Sequence, residues 1–229
     1  MPYSPTYSSD PTDLDLQEML TAAGLWSSGL AVWNQGIVAG AVKRFEMATG
    51  RVPFLQQAST SLYYDPPGDA SKQMQNPYVG MGKILELTPY FTTITAVAWG
   101  VSVDIPAGTP VDIQRQLYFR PNNYAALGLP IEWIEFLFPV YGLPQSIMVT
   151  GTPGSVTQWP TDAWNGVLAG AAADLSAVVG TSISGAMTSE AELDTKVTYA
   201  ENPLAAQEKA WRFMFNRVVK AYKTLRVGL

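Results

Sequence analysis

A chain of 229 residues, 47% hydrophobic, 11% aromatic and only 14% charged, suits one large domain or a compact domain with an elaborate insertion, and it is long enough to bury a core. It contains no Cys and no His, which excludes a disulfide framework, a thiol or His-dependent nucleophile, and any zinc, haem or iron–sulfur site built on those ligands. The net charge of −5 argues against a simple nucleic-acid clamp; the N-terminal residues lack the basic and apolar stretches of a signal peptide, and no apolar run approaches the roughly 20 residues that span a bilayer.

Residues 1–11 are rich in Tyr, Ser and Pro and are expected to be flexible. Thr12 and Asp15 then form a capping-box pattern. Leu16, Met19, Leu20 and Ala23 share one helical face, which predicts a helix over 13–24. Asp10, Asp13 and Asp15 superficially resemble the start of a calcium loop. Leu14 and Leu16 between them, with no loop Gly and no closing Glu, leave them as acids at a helix N-terminus.

A second helix is predicted over 30–49, where Trp33, Ile37, Ala41 and Phe45 recur every four residues. Lys43 and Arg44 would close it and Gly50 would follow as the residue past its end. Gly36 and Gly40 fit this helix only if another helix approaches closely there.

From 53 to 154 the pattern changes to short β-type runs punctuated by Pro and Gly. The predicted strands are Ser59–Tyr64, Ile84–Leu87, Thr92–Trp99, Val101–Ile105, Gln114–Phe119, Glu132–Phe136 and Ser146–Thr150. Gly80-Met81-Gly82-Lys83 is not a phosphate loop: Pro77 stands where the first Gly is required, and Ile84 where Ser or Thr is required. Glu132 and Glu135 would serve a glycoside hydrolase only if they shared a face; on a strand they point to opposite faces and read as exposed edge charges. The seven Trp residues could line a sugar site, but most are expected in the core or at subunit interfaces.

A third helix is predicted over 160–179, with Trp164, Leu168, Ala171, Leu175 and Val178 on one face and only small residues at 169–173, so that a partner helix can come close. Residues 181–200 read as turns with one strand, Asp194–Tyr199. A last helix is predicted over 203–226, its apolar stripe formed by Trp211, Phe215, Val218, Tyr222 and Leu225. Residues 201–229 hold six basic side chains (Lys209, Arg212, Arg217, Lys220, Lys223, Arg226) against Glu201 and Glu208, so this tail is +4 and the remainder −9. An arm of this kind suits docking on an acidic surface of a partner or of a neighbouring subunit.

The expected fold is α+β. A bundle of about four helices, from residues 12–52 and 155–200, carries an inserted antiparallel β subdomain at 53–154 and a C-terminal helical arm at 201–229. Trp33, Phe45, Trp164, Leu168 and Leu175 are expected as core or subunit-interface residues. No residue stands out as catalytic, and no metal-ligand set or cofactor motif is evident.

Several segments resemble tailed-phage head-to-tail connector (adaptor) proteins. Ala41–Arg51, ending in Thr49-Gly50-Arg51 with Phe54 beyond, looks like the close of that family's second helix. Ser59–Gly68 resembles its next strand and turn; Ile147–Gly154 and then Trp159-Pro160-Thr161-Asp162 look like its passage into a further helix. Many such adaptors are about half this length and mainly helical, so the β-rich middle departs from the pattern.

The resemblance implies a structural virion protein of the neck, made in the host cytoplasm, with no enzymatic activity, cofactor or membrane. Its copies would form a ring, usually of twelve, beneath the portal protein. The ring would extend the DNA channel, let genomic DNA pass without sequence-specific binding, and meet a stopper, tail-completion or other tail protein. Trp211, Arg212, Phe215, Arg217, Lys220, Lys223 and Arg226 would dock on the portal. The alternatives are another phage tail or capsid-decoration component, or, in a different class, a carbohydrate-binding or hydrolytic domain using exposed Trp with Glu132 or Glu135.

Overall fold

The computed structural model describes residues 7–69, 82–100, 107–186 and 203–224. The fold is α+β. Its four long helices are α1 (Asp13–Ala22), α2 (Ile37–Thr49), α3 (Thr161–Ala186) and α4 (Pro203–Thr224). Its strands are β1 (Thr60–Tyr64), β2 (Gly68–Asp69), β3 (Gly82–Trp99), β4 (Thr109–Pro110), β5 (Leu117–Arg120), β6 (Ile131–Gly142) and β7 (Ile147–Pro153). Single helical turns occur at Ser28–Val32, Ile113–Gln116 and Tyr124–Leu127. Two compact units result, one of residues 1–50 with 159–229 and one of residues 51–158.

The helical unit is organised around aromatic rings. Phe45 of α2 lies 5.7 Å from Trp159, 5.8 Å from Tyr222 and 6.5 Å from Phe215, centroid to centroid. Trp164 meets Trp159 at 6.4 Å and Tyr7 at 5.2 Å, both edge to face. Leu16, Leu20, Leu168 and Leu175 complete the interior. The predicted core positions Phe45, Trp164, Leu168 and Leu175 are all buried within the chain. Trp33 is 41% exposed.

α2 begins at Ile37, seven residues later than the apolar spacing suggests. Gly36 has φ +74° and cannot continue a right-handed helix inward, so Trp33 ends a separate 3-10 turn. Neither Gly36 nor Gly40 has another helix close by, since a Cβ built there meets nothing within 4 Å. α3 runs past Gly180 to Ala186. The predicted strands at Val101–Ile105 and Asp194–Tyr199 fall outside the described residues.

The β unit is a sheet in the order β1-β7-β3-β6-β2, with β4 added to β3 and β5 to β6. Among the described residues the named strands pair antiparallel except for a two-residue parallel contact between β2 and β6. Leu87, Phe91, Ile134, Phe136, Ile147 and Val149 form its dry interior. The two predicted runs around Thr88-Pro89 are one strand, β3. Pro89 is tolerated because it lies in a register shift, where the ladder passes from β6 to β7. The predicted strand at Gln114–Phe119 begins instead as a helical turn, whose Gln114 and Arg115 amides donate to Asp112 Oδ1, and becomes strand only at Leu117.

Candidate functional site

α4 is two-faced. Leu204 and Val218 are buried on its inner side, with Trp211, Phe215 and Tyr222 half-buried. α3 receives this side at two glycines one turn apart. A Cβ at Gly166 would sit 2.8 Å from Val218 Cγ2, and one at Gly170 would sit 2.5 Å from Phe215 Cδ2. A side chain in either position would force Val218 or Phe215 to move, so the small residues of α3 allow the two helices to approach. The Tyr222 hydroxyl donates to Asp162 Oδ1 at 2.9 Å, and Arg44 of α2 pairs with Asp174 of α3.

The outer side of α4 is basic. Lys209, Arg212, Arg217, Lys220 and Lys223 of this helix are all exposed. Arg212 Nε donates to Glu208 Oε1 at 2.8 Å, an i,i+4 pair on the helix itself. Lys209, Phe213, Arg217 and Lys220 fall at i, i+4, i+8 and i+11, a single stripe opposite the buried one. Phe213 is 70% exposed, and Met214 beside it is also exposed. Sequence reasoning missed both. The signal was available: two residues along a helix is a turn of about 200°, so Phe213 cannot share a face with Phe215. Arg226 lies outside the described residues.

The structure resolves the other candidates by placing them. Asp10 Oδ1 accepts the Trp159 indole N–H at 3.0 Å. Asp13 caps α2 across 23 to 25 residues, accepting from the amides of Gly36 at 2.7 Å and Val38 at 3.1 Å. Asp15 closes the capping box with Thr12. The three acids are therefore spent on folding. Glu132 corrects the expectation of an exposed edge charge: it is only 7% exposed. Glu135, on the opposite face by alternation, is held by Arg120. The two carboxylates do not face a common space. Among the described residues, no group of three or more Asp or Glu could hold a metal ion, and no helix is long and apolar enough to cross a membrane.

The segments that resemble connectors have structural work in this fold. Thr49 Oγ1 donates to the Phe45 carbonyl at 2.8 Å, and Gly50 ends α2 at φ +70°. A Cβ at Gly151 would lie 2.2 Å from the Thr93 carbonyl oxygen, and one at Gly154, where φ is +140°, would lie 2.4 Å from Gln56 Cα. Trp159 opens the return to the helical unit with its amide on the Tyr7 carbonyl at 2.8 Å.

No protein-family model matches the chain. No curated protein matches it. Two solved structures contain chains of similar path. One is the neck of an empty gene transfer agent particle, computed with C6 symmetry, at TM-score 0.43 and 14% identity, covering 91% of this chain and 92% of that one. The other is the virion of a native gene transfer agent particle, at TM-score 0.42 and 14% identity, with the same coverage.

Proposed function

We propose that this chain is a structural protein of a phage-type particle, a head-to-tail adaptor whose copies form a ring beneath the portal and extend the DNA channel toward the tail. The reading rests chiefly on the two-faced α4. Its inner side packs closely on Gly166 and Gly170, and its outer side presents Lys209, Arg217 and Lys220 in one stripe with Phe213. A basic helix on a chain that is otherwise −9 is a docking element for an acidic protein surface. The resemblance of Ala41–Arg51 and Ile147–Asp162 to connector proteins supports a portal as that surface. The acidic remainder suits a conduit, because it slides past phosphates instead of gripping them. No catalysis is assigned.

Replacing Lys209, Arg217 and Lys223 with Glu tests the docking role while leaving the Arg212–Glu208 pair in place. The triple variant is expected to keep its circular-dichroism spectrum and melting temperature and to lose co-purification with the portal. Unchanged co-purification would remove α4 from the docking mechanism.

A further inference from the structure

The seam between α3 and α4 opens into two clefts, and their charges are differently engaged. The first, of about 230 Å³, is lined by Arg44, Asp174 and Arg212 beside Phe215. Both of its guanidinium groups are already held, Arg44 by Asp174 and Arg212 by Glu208. The second is about 560 Å³, within the size range of clefts that take ligands. Met214, Val218 and Ala221 of α4 supply its apolar wall, and Asp162 and Asn165 line it from α3.

Arg217 also lines this second cleft. It stands three residues past Met214 and four before Ala221, in one row along α4. Among the described residues it makes no hydrogen bond or ion pair. The acid of the cleft does not pair with it: Asp162 Oδ1 accepts the Tyr222 hydroxyl at 2.9 Å instead. The two helices together carry five cations against three carboxylates, on a chain of net charge −5. An incoming anion is therefore drawn to this seam, and of its two clefts only the second offers an unengaged guanidinium.

We propose that this cleft seats a segment of the docking partner in which an apolar side chain adjoins a carboxylate. The apolar group packs on Val218, Ala221 and Met214, whose flexible thioether side chain is 39% exposed and adapts to the shape it meets. The carboxylate pairs with Arg217. A nucleic-acid backbone brings phosphate but nothing apolar for the wall, and a neutral sugar leaves Arg217 unpaired. The proposal deepens the docking reading above and rests on it for the protein that supplies the segment.

Its chemistry is tested on the full chain, labelled at the methionine methyl groups and titrated with acetyl-Phe-Glu-amide or acetyl-Phe-Gln-amide. The Met214 methyl resonance is expected to move at about tenfold lower concentration of the Glu peptide. Arg217→Gln should abolish that preference. Ala221→Trp, which fills the cleft without changing charge, should abolish both responses. No movement of Met214, or an equal response to the two peptides, would overturn the proposal. The source of the segment is read in particle-producing cells, with photoreactive benzoylphenylalanine at position 165 and adducts mapped by mass spectrometry. The expected adduct is with the portal, at a segment where Asp or Glu adjoins an apolar residue. An adduct with a second copy only, or none, would overturn the proposal even if the portal still co-purifies. An adduct at such a segment of a different virion protein would support the cleft and sink the portal reading instead.

Discussion

Asp13 shows what a single residue contributes and why the sequence hides it. The Thr12–Asp15 capping box was legible because its partners lie three residues apart. Asp13 carries the same acidic signature, yet its partners are the amides of Gly36 and Val38 on the next helix, a distance that spacing alone does not encode. Asn34 reinforces the link, its Nδ2 donating to the Asp13 carbonyl at 2.9 Å. An Asp13→Ala variant is expected to lose about 1 kcal/mol, the usual worth of an N-cap, with Asp13→Asn, which keeps one of the two acceptor oxygens, losing part of that, both measured by chemical denaturation. No loss for Asp13→Ala would mean that α2 does not depend on these two bonds. Glu132 failed at this scale for a similar reason. Strand parity gave its face correctly relative to Glu135, but parity alone does not say which face is buried.

At the scale of elements, periodicity located the four long helices and missed where one of them starts. The four-residue recurrence through Trp33 and Ile37 is interrupted by a glycine in the left-handed region, so the helix cannot extend back to Leu30. Conversely, Pro89 looked like a break between two strands, yet it occupies a register shift within one. The small-residue run of α3 was read correctly as room for a partner helix, and α4 is that helix. Its fit makes a quantitative claim. Gly170→Val sets two β-branched methyl groups against the Phe215 ring and is expected to cost about 1–3 kcal/mol by overpacking. A companion Phe215→Ala should recover part of that loss, as a double-mutant cycle would show. A strictly additive cycle would contradict the close approach at this glycine.

At the scale of the whole molecule, the switch from a period near four to short alternating runs between Gly and Pro was enough to predict α+β. Which surfaces face outward was not readable in the same way. The exposure of Phe213 and the pairing of Glu135 with Arg120 emerge only once helix phase and strand register are known, because each depends on residues brought together from separate strands or turns. The outer side of α4 is cationic and suits an acidic partner. The most direct measurement of this account is affinity purification of the full chain from cells producing the whole particle, followed by imaging of the complex. The account predicts that this chain co-purifies with one large ring-forming protein and stacks on it as a ring of its own, with α4 at the contact. A lone monomer, absent from assembled particles, would contradict it.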